Sequence, residues 1–204
     1  AAYADLRRRA ARGADTAIDP YACEAPAEFF AVVSEVFFEC PALLADEFIR
    51  GAKEGGHEVE RFDAAFENVH PCIGCGKCGY GKAPCVFRDS MEKLHPLLVA
   101  ADVIAFVTPI YYWGMSAQLK AVIDRFQVSV FSMQGRKKAL LMTTSASGEK
   151  WVTDPIEAQF GAMLKFMDWR DGGRLLARGC AARADIEASL FPLKAYEAGK
   201  RIGE

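Results

Sequence analysis

The run Val103-Ile104-Ala105-Phe106-Val107 constrains this chain more than any other stretch. It is apolar throughout and rich in β-branched residues, which suits a strand buried on both faces, as in parallel sheets. Thr108-Pro109 ends it, because proline has no N–H to give to a central ladder. Three consecutive aromatics follow, Tyr111, Tyr112 and Trp113, then Gly114 and Ser116. After them Leu119, Val122, Ile123, Phe126 and Val130 recur at helical spacing. Residues 101–125 therefore read as a buried strand, a loop at its carboxyl end and a helix. Open α/β sheets bind ligands outside the carboxyl ends of their strands. Aromatics placed there offer a surface to a flat ligand.

The chain from Leu43 onward repeats that alternation. Leu43 to Ala52 is an amphipathic helix, with Gly55-Gly56 as its C-cap. His57 to Phe62 (HEVERF) alternates as a strand does. Asp89-Ser90-Met91-Glu92 resembles a capping box and opens a helix to about Ala101, with a kink expected at Pro96. Lys137 to Thr144 (KKALLMTT) is the next strand, and Ser145-Ala146-Ser147-Gly148 is its carboxyl-end loop. Asp154-Pro155-Ile156-Glu157 opens another helix. Leu175 to Cys180 reads as the last strand, and Asp185 caps a closing helix that reaches Arg201. Strands alternating with helices imply βαβ units, a parallel sheet and the α/β class. Lys120 and Asp124, at i,i+4, predict a helix-surface ion pair, and neither they nor Arg125 are given a catalytic role.

Composition narrows the function. At 204 residues the chain suits one domain with an appendage. A net charge of -2 makes no electrostatic case for nucleic acid or an anionic membrane as partner. No apolar run approaches the roughly 18 residues of a membrane-spanning helix, and no signal peptide is visible, so a cytoplasmic location is expected. Four of the seven cysteines, Cys72, Cys75, Cys78 and Cys85, fall within fourteen residues. In a cytoplasmic setting that clustering favours metal or redox chemistry over disulfides. Thiolates at C-x2-C-x2-C fold back around one centre, as iron-sulfur ligation requires. Zinc suits four thiolates as well, and free thiols with no metal are a third reading. Cys23, Cys40 and Cys180 read as buried or incidental thiols, and His57, His70 and His95 as structural.

With these elements in order, residues 43–204 resemble the flavodoxin-like NAD(P)H-dependent FMN reductases, and within them the iron-sulfur flavoproteins. The matching residues are Gly51-Ala52, Gly56-His57-Glu58-Val59, the four clustered cysteines, Asp89-x-Met91 and Ala101-Asp102-Val103. Thr108-Pro109-Ile110-Tyr111, Ser116 to Lys120, Ile123-Asp124-Arg125 and Ala195-Tyr196-Glu197 also match. The resemblance implies a doubly wound parallel sheet of order 2-1-3-4-5, with FMN at its carboxyl edge and NAD(P)H as co-substrate. It places the flavin ring against Thr108, Pro109, Ile110, Tyr111, Tyr112, Trp113 and Gly114. Thr144, Ser145, Ala146 and Gly148 form the opposing wall. It also implies a possible [4Fe-4S] cluster on the four cysteines, an electron acceptor of unknown identity and a homo-oligomer. The family's first strand and its phosphate-wrapping loop have no counterpart here. Weak FMN binding is expected on that ground.

Residues 1–41 instead resemble a fragment of lethal-factor-like zinc peptidases. The residues concerned are Asp19-Pro20-Tyr21-Ala22, Pro26 to Val32, Ser34-Glu35 and Phe37-Phe38. In that family a glutamate placed as Glu28 is to Tyr21 is the third zinc ligand. The sequence has no His-Glu-x-x-His, and one carboxylate cannot hold catalytic zinc. A junction of two unrelated sequences at Leu43 to Phe48, which suits either family, accounts for the pattern. A peptidase-like fragment at 1–41 then precedes a flavodoxin-like domain at 42–204. A helix opening at Pro26 is expected, with Ala31 to Phe38 as an alternative strand able to fill the vacant first position. The function expected is an FMN-dependent NAD(P)H oxidoreductase; the rivals are a metal-binding electron-transfer or structural module without flavin and a non-functional chimera.

Overall fold

The computed structural model describes residues 26–203, with side chains from Cys40 onward. Tyr21 and Cys23 lie outside the described residues, as does the side chain of Glu28. Helix α1 spans Pro26–Glu54. Three parallel strands form the sheet in the order β1-β2-β3: β1 Val103–Pro109, β2 Lys138–Ser145 and β3 Arg170–Arg178. Helix α2, Met91–Ala100, precedes β1, and α3 Ala117–Asp124, a 3-10 turn Arg125–Val128 and α4 Val130–Met133 run between β1 and β2. Helix α5 is Asp154–Met167, and α6 Arg183–Glu187 and α7 Phe191–Lys200 close the chain. The closing helix expected from Asp185 to Arg201 is thus two helices, divided ahead of Pro192, which sits in the first turn of α7.

Side-chain alternation along the strands builds a core on each face. From β2, Ala139 and Leu141 enter one cluster while Leu140 and Met142 enter the other. The first holds Met91, Leu94 and Leu98 of α2 with Ile104, Phe106, Phe126 and Phe160. The second holds Cys40, Leu44 and Phe48 of α1 with Ala177, Ile186 and Ala195. Burial of a side chain such as Leu44, fully enclosed here, contributes about 1.5–3 kcal/mol. β2 is buried from Ala139 to Ser145, which is why its sequence is a continuous apolar run. β3 (RDGGRLLAR) is largely exposed in its first half and serves as an edge.

The amino-terminal half of the expected sheet differs. His57 to Phe62 forms no strand. Among the described residues no strand stands beside it, so its backbone has no ladder to join. Ala31 to Phe38 does not fill the vacant first position, since its backbone belongs to helix α1. Among the described residues β1 therefore pairs only with β2. Val103, Ala105 and Val107, which face the second cluster, are only partly buried.

Helix α1 is held by a close crossing with α7. A Cβ on Gly51 would lie 2.0 Å from the carbonyl oxygen of Tyr196, and one on Gly199 would lie 2.1 Å from that of Phe48. Only glycine permits such reciprocal backbone contact. The Tyr196 hydroxyl donates to Glu54 Oε2 at 2.5 Å, and the Arg50 guanidinium lies 4.1 Å from the Tyr196 ring centroid. Gly161, inside α5, has open space where its Cβ would point. Gly199→Ala should lower the unfolding free energy by about 1–3 kcal/mol through overpacking. Gly161→Ala should raise it by about 0.5–1 kcal/mol. Urea titrations of both variants at pH 7 check the opposite signs.

Candidate functional site

The loop after β1 is a two-residue hairpin. Tyr111 and Gly114 exchange both backbone hydrogen bonds at 3.0 Å, leaving Tyr112 and Trp113 as the turn. Their φ angles are +45° and +63°, the left-handed region at both central positions, as in a type I′ turn. Asn and Gly are the usual occupants. A side chain with a Cβ costs roughly 1–2 kcal/mol there. Two bulky aromatics in that conformation mark a strained loop whose rings are held out of the fold. Tyr112 is 94% exposed and Trp113 44%. The two rings meet edge to face at 5.9 Å, and Trp113 lies 5.9 Å from Trp151 beyond the next loop.

Parallel pairing brings the second wall alongside. Pro109 is in register with Thr144, and the Ile110 N–H donates to the Thr144 carbonyl at 2.8 Å. Thr108 is buried, and its hydroxyl oxygen accepts the Ser116 N–H at 3.0 Å. Ser116 in turn caps α3 by accepting from Leu119 N at 3.3 Å. The Ser145 hydroxyl donates to the Ser147 carbonyl at 2.9 Å, while Ala146 and Gly148 are exposed. Residues 108–114 and 144–148 thus form one carboxyl-edge rim of exposed aromatics and fixed backbone dipoles.

The same edge lacks an anion grip from α1. Cys40 and Leu44, packed over the sheet, lie in mid-helix, so their N–H groups close intrahelical bonds. A phosphate needs the unsatisfied N–H groups of a helix's first turn. Burial pushes the Tyr111 phenol upward in pKa, and the Cys40 thiol of α1 adds to the effect. Helix α1 is therefore beside this rim, and it continues there where a phosphate loop would end.

Cys72, Cys75, Cys78 and Cys85 line a single small cavity of about 30 Å³. Cys72 and Cys75 are exposed, Cys78 and Cys85 half-buried, and Gly74, Gly76, Gly79 and Gly81 between them take positive φ. Among the described residues no three metal-ligating side chains converge closely enough to hold an ion. The donor set suits an iron-sulfur cluster or zinc, and closing it requires this glycine-rich loop to tighten.

Beneath that loop sit two residues that the sequence assigned to no site, Asp89 having been read as part of a helix start. Arg125 and Asp89 form a buried ion pair, with Nη1 2.7 Å from Oδ2 and side chains 2% and 0% exposed. Burial pushes the Asp89 carboxyl up, but Arg125 and the backbone N–H groups of His70 and Met91 outweigh it and hold its pKa at about 2. The sequence signal was Arg125 lying on the buried side of the helical stripe, beside Val122 and Phe126. Lys120 and Asp124 do make the expected surface pair, at 2.5 Å. A larger cavity of about 580 Å³ adjoins the cysteine loop, lined by Phe87, His95, Pro96, Val99 and Val128. His95 Nδ1 lies 3.2 Å from Ser129 Oγ, while its buried Nε2 has no hydrogen-bond partner.

Residues 40–179 match the family described as NADPH-dependent FMN reductase, and residues 1–50 match the glucose-regulated metallo-peptidase M90 family. Among curated proteins, an iron-sulfur flavoprotein of Archaeoglobus fulgidus is 34% identical over 82 residues, 40% of this chain and 37% of that one. One of Methanocaldococcus jannaschii is 35% identical over 97 residues, 47% of this chain and 49% of the relative. The chain thus spans at most about half the length of these relatives. The NAD(P)H:quinone oxidoreductase of Methanothermobacter marburgensis superposes with a TM-score of 0.63 at 18% identity, over 81% of this chain and 90% of that one. An FMN-dependent NADH-azoreductase of Bacillus anthracis gives 0.58 at 14%, over 81% and 92%. These likenesses establish the flavodoxin-like fold.

Two outcomes are expected of this site. Tyr112→Asn relieves left-handed strain and should raise the unfolding free energy by about 1 kcal/mol in thermal or urea melts. Asp89 has a folded pKa of about 2, below its ordinary 3.8, so its contribution to stability is complete above about pH 4. That contribution, about 2 kcal/mol, should fade as pH falls from 4 to 2. Urea midpoints of the wild type and Asp89→Asn across that window should draw together.

Proposed function

The chain belongs to the NADPH-dependent FMN reductase family, and on that footing we propose that it binds flavin at the rim formed by residues 108–114 and 144–148 and passes electrons from NAD(P)H to an acceptor. The observation that carries this reading is the Tyr112-Trp113 turn, which holds two aromatic rings at the carboxyl edge in a conformation that opposes their own preference. Strain of this kind persists where the surroundings over-determine it, and it clusters at ligand sites.

The residues divide the work. Tyr112 and Trp113 give the flavin ring a stacking and shielding surface. The backbone groups of Pro109 to Gly114 and of Ser145 to Gly148 meet its polar edge. Thr108, buried and bonded to Ser116 N, fixes where the loop leaves β1. The bound flavin supplies the hydride chemistry, and the protein supplies its orientation. The nicotinamide would stack on the flavin rather than occupy a separate fold. Cys72, Cys75, Cys78 and Cys85 would hold an iron-sulfur cluster, which would supply electrons to the flavin.

The missing phosphate grip gives a test with a defined outcome. FMN and riboflavin should bind with affinities within about tenfold of one another, a difference below ~1.4 kcal/mol. Fluorescence quenching titrations measure both. A much stronger preference for FMN would show a phosphate site that α1 does not provide. Anaerobic addition of NADPH should bleach the bound flavin's visible absorption. Iron without any flavin binding would support instead a metal-binding electron-transfer module.

A further inference from the structure

Arg125 closes the cysteine loop at its base. Its Nη1 donates to the His70 carbonyl at 2.8 Å and to Asp89 Oδ2 at 2.7 Å, and its Nη2 to Asp89 Oδ1 at 3.2 Å. Asp89 Oδ2 also accepts the His70 N–H at 3.0 Å. His70 and Asp89 flank Cys72 to Cys85, so one guanidinium ties both ends of the loop that carries all four thiols.

This tie does not explain itself as a stabilising device. Removing a guanidinium and a carboxylate from water is costly, and a buried pair often does no better than well-packed apolar residues. Nor are the donors of the guanidinium all used. Arg125 Nε is buried and has no hydrogen-bond partner, although an unmatched buried donor costs about 1–3 kcal/mol, more on a charged group. Arg125 lines the small cavity together with Cys72, Cys75, Cys78 and Cys85. Its charge interacts with Cys72 and Cys85. Phe87, whose ring centroid lies 5.4 Å from the guanidinium carbon, covers another side.

We propose that Arg125 is a positioning residue of the cysteine site: its unmatched Nε–H is the donor to a thiolate sulfur, and the Asp89 pair holds it there. The assignment rests on the reading that the four thiols carry an iron-sulfur cluster. A hydrogen bond and a positive charge beside the sulfurs favour the more negative, reduced state of such a cluster, and so raise its reduction potential. Asp89 opposes this with its own negative charge while fixing the guanidinium.

The test uses the full chain, reconstituted anaerobically with ferrous iron and sulfide. Iron and sulfide content are assayed, and the cluster midpoint is measured by an EPR-monitored redox titration. Arg125→Lys keeps the charge and the Asp89 pair but removes the Nε donor. It should bind iron as the wild type does and titrate at a lower midpoint, by about tenfold in the reduction equilibrium, which is about 59 mV for one electron. Asp89→Asn should move the midpoint the other way. Equal midpoints in the wild type and Arg125→Lys, at equal iron content, overturn the assignment. Iron lost from an Arg125→Lys chain that still unfolds cooperatively overturns it too, leaving a purely architectural role. Absence of iron from the wild type overturns the cluster reading and the assignment with it. Should Arg125→Lys fail to fold, the wild type decides: pulsed EPR on reduced protein containing 15N-arginine should show a nitrogen hyperfine coupling at the cluster, and its absence overturns the proposal.

Discussion

The open edge of β1 governs much of this molecule. A central strand presents donors and acceptors on both sides, and an unmatched row of them is costly to bury. Here β1 has β2 on one side and no strand on the other among the described residues. The consequences run outward. His57 to Phe62, alternating as a strand should, has no ladder to join and stays irregular. Val103, Ala105 and Val107 are half-covered by the second core rather than enclosed between strands. Such an edge is a template for pairing with another chain. Stability is consequently concentrated around β2, which is paired on both sides and buried from Ala139 to Ser145.

Several elements from Asp89 onward were legible in the sequence because they carry a local signal, whereas β3 begins at Arg170, five residues before the Leu175 expected, because its exposed first half (RDGGR) lacks an apolar run. The Val103 to Val107 run, the KKALLMTT run and the proline at Asp154-Pro155 mark β1, β2 and the start of α5 where the structure has them. Gly51 and Tyr196 also stood out as a resemblance, and the α1–α7 crossing gives the physical reason, a backbone contact that admits no Cβ. What was not legible is non-local. A strand pattern such as HEVERF states a preference, and only a neighbouring strand can satisfy it. Arg125 looked like one more charge next to a surface ion pair. Its burial depends on Asp89, which lies across the cysteine loop, and neither sequence spacing nor capping logic couples the two.

Of the proposed site, the aromatic loop was legible as a surface but not as a strained turn. Three aromatics in a row carry no sign that the second and third take left-handed φ. The strain follows from a two-residue connection between Tyr111 and Gly114, since short hairpins of this twist need positive φ at both central positions. Asn-Gly would satisfy that geometry at lower energy. Both aromatics sit against their conformational preference, and burial offers Tyr112 little in return because it is almost wholly in solvent.

The two halves of the proposed flavin site depend on different elements. The proposed ring half lies at the ends of β1 and β2, which pair in register from Val103 with Lys138 to Pro109 with Thr144. The phosphate half depends on a chain break in helical structure, because an anion site at a helix exists only where the first-turn N–H groups lack intrahelical partners. Helix α1 removes that break by running continuously from Pro26 through the Leu43 to Phe48 segment to Glu54. The side chains of that segment still suit the core, as Leu44 and Phe48 show by their burial. Packing and anion binding are therefore separable at this helix: side-chain pattern fixes the first, and only the position of the helix's beginning fixes the second.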